Sequence, residues 1–97
     1  MSASNHSYRE VSPRPQVVDT ELDTGEGVLL QLDGKIFYSL NPTGLRIWQG
    51  LKRGLGVTEI SQQLQSEFDV DAERAERSVI DLVEKLLQEG LVQLRHR

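Results

Sequence analysis

The sequence predicts an α+β domain in which a three-stranded antiparallel sheet at the N-terminus is followed by three helices. The main observation is a change of hydrophobic period within residues 37–48, from the alternation of a strand to the three- and four-residue spacing of a helix. Asn41-Pro42 marks the change, because Asn is a good N-cap and Pro is tolerated at the first helical position. The second observation is Asp33-Gly34, a strong signal for a hairpin with a two-residue type I′ turn.

Three short segments before Asn41 have the character of strands. Residues 16–22 form the predicted first strand, which we place at a sheet edge because of its charges and the prolines before it. Residues 28–32 form the second strand. Residues 35–40 form the third, antiparallel to the second across the hairpin.

A two-residue turn also predicts which side chains share a face of the sheet. It places Leu30 opposite Phe37 on one face and Leu29 opposite Tyr38 on the other. We expect the face with Tyr38 to point at the helices. The face with Phe37 is apolar as well, and cover by the N-terminal tail or by the first strand would explain it.

The helices have clear boundary signals. Gly90 is suited to the left-handed residue after the last helix, and Leu91 is suited to pack back on Leu86 in a Schellman arrangement. Gly44 costs helix stability, which indicates a close approach of the first helix to the sheet. Residues 91–94 are suited to a short terminal strand. The predicted helices run from Pro42 to about Arg53, from Val57 to about Phe68 with Gly56 or Thr58 as the cap, and from the capping residue Asp71 to about Glu89.

Composition limits the possible classes of function. The 97 residues suit one domain, which we place at residues 16–94 after a flexible tail at residues 1–15 that is rich in Ser, Asn and Pro. Cysteine is absent, which excludes disulfides and Cys-based metal sites and fits a reducing cytoplasm. No apolar run approaches the roughly 20 residues of a membrane helix. We expect a cytoplasmic monomer that does not bind membranes.

No feature of the sequence indicates catalysis. Both histidines lie near the termini, and neither G-x-S-x-G nor H-E-x-x-H occurs. The acidic residues follow the solvent-facing positions of the predicted helices. We therefore expect no enzymatic activity, no catalytic residue, no cofactor and no metal.

The third predicted helix has an unusually wide apolar stripe. Ile80 and Leu87 widen it to roughly 160°, whereas packing on one side needs about 100°. One explanation is that the neighbouring helices and the sheet share this helix. The other is that Ile80, Val83 and Leu87 line an apolar cleft opposite the third strand, an arrangement that suits strand addition by a peptide. In that case Ile80 lies at the edge of the stripe and Leu82 nearer its centre.

The order of strands and helices is winged helix-turn-helix-like, so DNA binding has to be considered. In that fold the third helix enters the major groove. This helix, with its cap, carries six acidic and three basic residues, and the net charge of the chain is −4. Such a helix repels phosphate, so no nucleic-acid partner is expected.

Four runs of residues carry a family resemblance. They are Tyr38-Ser39-Leu40-Asn41-Pro42-Thr43-Gly44, Ile47-Trp48, Val57-Thr58-Glu59-Ile60 and Leu86-Leu87-Gln88-Glu89-Gly90-Leu91-Val92. With the hairpin before them, residues 29–92 resemble the PqqD family, small domains also called RiPP recognition elements. The Leu-Asn-Pro-Thr-Gly form with Ile-Trp is most similar to the free-standing leader-binding proteins of lasso peptide biosynthesis.

The resemblance implies a function and a site. Members of this family act as peptide chaperones that bind the leader segment of a ribosomally synthesised precursor peptide as an added strand and present it to a leader peptidase or another maturation enzyme. The implied partner is therefore a precursor peptide, from a lasso peptide pathway in the first instance. Two alternatives remain: a peptide chaperone of pyrroloquinoline quinone biosynthesis and a winged-helix transcriptional adaptor.

Carried over by position, the implied peptide-binding residues come from the third strand and the third helix. The strand would pair with the peptide through its backbone. Four residues of the helix would supply apolar contacts, and two others would supply polar specificity. The strand residues are Lys35, Ile36, Phe37, Tyr38, Ser39 and Leu40; the apolar helix residues are Val79, Ile80, Val83 and Leu87; the polar ones are Glu76 and Lys85.

Overall fold

The computed structural model describes residues 11–94, which form five strands and three helices. The elements are β1 (Val11–Pro13), β2 (Val17–Glu21), β3 (Gly27–Gln31), β4 (Ile36–Leu40), α1 (Pro42–Lys52), α2 (Val57–Phe68), α3 (Ala72–Gln88) and β5 (Val92–Leu94). The predicted first, second and third strands are thus β2, β3 and β4. The α+β class and the three helices are confirmed.

The strands form two sheets, where the sequence predicted one. β2, β3 and β4 make a three-stranded antiparallel sheet in that order, and β1 pairs with β5 in a separate two-stranded sheet. β1 falls inside the predicted flexible tail, but Val11 is buried and pairs with Leu94. Residues 11–13 are therefore not part of a flexible tail, because they pair with β5, which lies within the terminal strand predicted at residues 91–94; the local sequence of β1 does not show this pairing. The rest of the tail, residues 1–10, lies outside the described residues.

The hairpin between β3 and β4 has the predicted register and a different turn. Leu30 pairs with Phe37 and Leu29 with Tyr38, as expected. However, residues 32–35 form a four-residue loop whose left-handed residue is Lys35, with φ of 55°, whereas a type I′ turn needs positive φ at Asp33 and Gly34. The side chain of Gln31 accepts a hydrogen bond from the Gly34 N–H and stabilises this loop. The predicted register survives because both loops are centred between Asp33 and Gly34, so Gln31 lies opposite Ile36 in either case.

The helices begin and end at the predicted signals. The Asn41 side chain accepts a hydrogen bond of 2.7 Å from the Gly44 N–H, and Asp71 accepts one of 2.8 Å from the Arg74 N–H. At α2 the cap left open by the sequence is Gly56, whose N–H donates to the Glu59 side chain at 2.9 Å. After α3, the positive φ of Gly90 and the 2.9 Å bond from the Leu91 N–H to the Leu86 carbonyl form the predicted Schellman ending.

None of the helices formed by residues 11–94 has the length and apolar character needed to cross a membrane.

One core joins the sheet to all three helices, and a polar contact ties β2 to α1. Trp48 is almost fully buried, and its indole N–H donates a 2.8 Å hydrogen bond to Asp19. Lys52 donates to the same carboxylate oxygen, also at 2.8 Å. Burial by itself would raise the pKa of Asp19, but the hydrogen bonds from Lys52 and Trp48 outweigh it and lower the pKa below its ordinary value of 3.8.

The two faces of the three-stranded sheet differ as expected. Leu29 and Leu40 are buried against the helices, and Tyr38 packs against the same core. On the outer face, Val18, Leu30 and Phe37 form a row across the three strands, and Phe37 is 72% exposed. Among residues 11–94, no segment covers this face. Cover by the first strand is therefore wrong, because that strand, β2, lies within the sheet and contributes Val18 to the row.

Candidate functional site

The outer edge of β4 is the first feature of the candidate site. In the order β2-β3-β4, β4 is an edge strand, and no other described strand pairs with its free side. In an antiparallel edge strand, every second residue directs its N–H and C=O groups away from the sheet. β4 therefore offers backbone donors and acceptors that an extended chain can bind.

A groove lies beside this edge, and we call it the β4–α3 groove. Its volume is about 410 Å³. One wall is the end of β4, the other is α3, and the first two turns of α1 lie between them. The lining residues are Tyr38, Ser39, Leu40, Asn41, Thr43, Gly44, Ile47, Ser78, Asp81, Leu82 and Lys85.

The segments of β4 and α3 that line the groove have similar lengths. Residues 38–41 span about 10 Å at roughly 3.3 Å per residue of extended chain. Residues 78–85 span about 10.5 Å at 1.5 Å per residue of helix. A strand added to β4 would therefore run beside about two turns of α3.

Local sequence signals place α1 at the base of the groove. The cap at Asn41 and the proline after it start α1 immediately after β4, so the chain turns from sheet to helix without a loop. A Cβ on Gly44 would lie 3.3 Å from the Leu40 side chain and 3.2 Å from the Asn41 oxygen. This close approach of the first turn to the end of the sheet is what the glycine predicted.

The central face of α3 belongs to the core. Val79 and Val83 are 0% exposed, and Ala75 and Leu86 are buried beside them. Val79 and Val83 were expected to contact a peptide. The structure places both in the core with no exposed surface, and their contact with a peptide stays a prediction. Their spacing predicted a buried face of the helix, and the core occupies that face.

Three other residues expected at the site lie on the opposite side of α3 from the groove. Glu76, Ile80 and Leu87 are absent from the groove lining, and we call them the far flank of α3. Ile80 precedes Leu82 by two residues, which at about 100° per residue separates the two side chains by about 160°. Since Leu82 lines the groove, Ile80 points away from it. The structure therefore places these three residues, which were expected to line the cleft, outside the β4–α3 groove.

The groove is instead lined by what we call the groove flank of α3: Ser78, Asp81, Leu82 and Lys85. Of these, only Lys85 was expected at the site. Leu82 was expected near the centre of the buried stripe, but it is half-buried and also packs against the core. Ser78 is three and four residues before Asp81 and Leu82, and Lys85 is four and three residues after them, so all four lie on one side of the helix. That signal was present, but three of the four are polar, and an apolar pattern does not detect them.

On the strand, the structure separates the six expected residues. Tyr38, Ser39 and Leu40 line the groove. Ile36 is half-buried at the other end of β4, and Phe37 lies on the exposed outer face. Lys35 belongs to the hairpin loop and not to the strand, so the strand that can pair with a peptide begins at Ile36.

A larger cavity lies elsewhere, between α1 and α2. It has a volume of about 730 Å³ and is lined mainly by polar residues, including Arg46 and Glu67, which form an ion pair of 2.6 Å. No strand edge borders this cavity. Its size alone does not favour it over the β4–α3 groove, where backbone and side-chain groups converge.

Comparisons with known proteins agree on the family. The family model described as coenzyme PQQ synthesis protein D (PqqD) matches residues 26–92. A solved structure of TbiB1 in complex with the TbiA(β) leader peptide is similar, with a TM-score of 0.79 and 29% identity over 89% of this chain and 99% of that chain. A structure of lasso peptide synthetase B1 complexed with the leader peptide has a TM-score of 0.78 and 32% identity over 87% and 98%. No curated protein gives a significant match. The family match covers more than half of the sequence, and the chain therefore belongs to the PqqD family.

Proposed function

We propose that this protein binds the leader segment of a lasso peptide precursor in the β4–α3 groove. The observation that carries the proposal is the free edge of β4 beside that groove. Two similar structures, which match nearly their whole length to this chain, are complexes with leader peptides. The bound leader would form a fourth strand next to β4, with Tyr38 and Leu82 among the side chains that contact it.

Strand addition explains how a small site without reactive groups gives affinity. Each hydrogen bond between the leader and the β4 edge contributes about 0.5–1.5 kcal/mol net. Burial of apolar leader side chains against Leu82 and Tyr38 adds further binding free energy. The edge and the groove are present without the ligand, so little of this energy is spent on ordering the protein.

Binding would serve maturation of the precursor and not catalysis by this chain. We propose that the protein holds the leader so that a leader peptidase or another maturation enzyme meets the attached precursor at a raised effective concentration. In this role it acts as a monomeric, winged helix-turn-helix-like domain in the cytoplasm and performs no chemical step itself.

The experiment is a titration of the full chain with the TbiA(β) leader peptide and with leaders of candidate lasso precursors, followed by amide NMR shifts. We expect saturable binding by at least one leader, with the largest shifts in β4 and at the groove flank of α3. Shifts confined to the cavity between α1 and α2 would contradict the placement. Saturable binding of duplex DNA that weakens steeply with salt would favour the transcriptional alternative.

A second candidate function follows from the description of the family model. That description is coenzyme PQQ synthesis protein D, which favours a peptide chaperone in pyrroloquinoline quinone biosynthesis. The same groove would then bind a different precursor. Including a pyrroloquinoline quinone precursor peptide in the titration separates the two candidates, because the cognate precursor should bind more tightly than the other.

A further inference from the structure

Two opposite charges stand on the groove flank of α3. Asp81 and Lys85 both line the groove, and both are exposed. An acid four residues before a base is a favourable arrangement for an ion pair on a helix. Nevertheless, neither residue forms an ion pair or side-chain hydrogen bond within residues 11–94. Both charges are therefore available to a ligand in the groove.

The spacing of these charges matches the repeat of an extended peptide. Four residues of helix rise about 6 Å. Side chains on one face of a strand repeat every two residues, about 6.6–6.8 Å apart. A strand paired with β4 directs alternate side chains towards α3, and its residues i and i+2 would then lie opposite Asp81 and Lys85.

We propose that the β4–α3 groove selects leader strands with a basic and an acidic residue two positions apart on the face towards α3. The basic residue lies opposite Asp81 and the acidic residue opposite Lys85. This inference rests on the proposed function and adds a charge rule to it. Leu82 supplies apolar contact between the two charges, which sets the register of the strand along the groove.

Charge pairing of this kind affects selectivity more than total affinity. Exposed ion pairs contribute little, so loss of one pair should weaken binding about two- to fivefold. Placing like charges opposite each other is penalised more strongly, so a leader with the two charges exchanged should bind at least about tenfold more weakly. The groove would thereby reject extended segments of equal hydrophobicity with the wrong charge order.

The test is selection from a phage-displayed library of 12-residue peptides on the full chain. The baits are the wild type, Asp81→Lys, Lys85→Glu and the double variant Asp81→Lys/Lys85→Glu, which keeps the net charge. We expect the wild type to enrich peptides that carry a basic and an acidic residue at i and i+2 in one order along the peptide. The double variant should enrich peptides with the same two charges in the reverse order. One selected peptide and its charge-exchanged form are then titrated against both proteins, and each should prefer its matching protein.

The matched control is Glu76→Lys, which changes the net charge as Asp81→Lys does but lies nine residues, or about 180°, from Lys85 on the far flank. It should leave the charge preference unchanged. Enrichment without a charge rule, or an equal shift caused by Glu76→Lys, would overturn the inference and leave the proposed function standing. Failure of the wild type to enrich any peptide would contradict the proposed function and the charge rule together.

Discussion

Both flanks of α3 carry half-buried aliphatic side chains, Leu82 on the groove flank and Ile80 and Leu87 on the far flank, and the two flanks face different surroundings. Leu82 packs against the core and lines the groove next to the free edge of β4. Ile80 is also half-buried, but it lies on the far flank, away from that groove. Exposure does not distinguish the two residues. The neighbouring strand edge does, because only one flank faces backbone groups that can bind a peptide.

The wide apolar stripe of α3 therefore has more than one origin. Its centre is core, with Val79 and Val83 fully buried. One margin, at Leu82, continues into a groove, and the other, at Ile80 and Leu87, does not. Amphipathicity identifies the buried face of a helix but does not identify the partner of each margin.

The substitution that should destabilise the domain most lies at the centre of α3, away from both margins. Val83→Asp should unfold the domain, because it places an unpaired carboxylate in a fully buried position and costs more than about 3 kcal/mol. Urea denaturation monitored by circular dichroism measures this. The control Ile80→Asp, on the half-buried far flank, should cost about 1 kcal/mol. A folded Val83→Asp variant would show that Val83 is not core.

The next prediction compares the two margins directly. Leu82→Glu should weaken binding of the leader peptide at least about tenfold, because a carboxylate replaces the apolar contact in the groove. Ile80→Glu should leave the affinity within about twofold, since that residue does not line the groove. Both variants are titrated with the same peptide after a circular dichroism check of the fold. Loss of binding by Ile80→Glu with a retained fold would reverse the assignment of the flanks.

The smallest effect concerns the side of α1 that faces away from the groove. Asp19→Asn removes the charge that accepts hydrogen bonds from Trp48 and Lys52 and should cost about 1 kcal/mol. Because the folded pKa of Asp19 is lowered, its stabilisation is present above the unfolded value of 3.8 and is lost as the pH falls through the folded pKa. Urea unfolding of both proteins between pH 2 and pH 7 measures the difference.

We expect that stability difference to be constant near neutral pH and to vanish in acid below the folded pKa. Peptide affinity at pH 7 should be unchanged in Asp19→Asn, because Asp19 does not line the groove. A stability difference that persists at low pH would contradict the role of the charge. A matching loss of affinity would show that the Asp19 contact and the groove are coupled.

The local elements and the hairpin register can be predicted from short-range sequence signals. The caps at Asn41 and Asp71 and the ending at Gly90 depend on contacts within a few residues, so they are readable in order along the chain. The pairing of Leu29 with Tyr38 follows from placing the centre of the loop between Asp33 and Gly34. Tyr38, Ser39 and Leu40, which the family resemblance had implied as peptide-binding residues, line the groove, and their contact with a peptide stays a prediction.

The features that join distant segments of the chain become visible in the folded structure. Val11 pairs with Leu94 across almost the whole chain, and no local pattern in a three-residue strand reveals such a partner. The helix side of the groove depends in the same way on where α3 lies relative to β4. Hydrophobic periodicity shows that a face of α3 is buried, but it does not show whether Leu82 or Ile80, on the two sides of that face, lies next to the free strand edge. The choice between them is made by the packing of the helix against the sheet, because burial is non-directional and the position of the free strand edge is not.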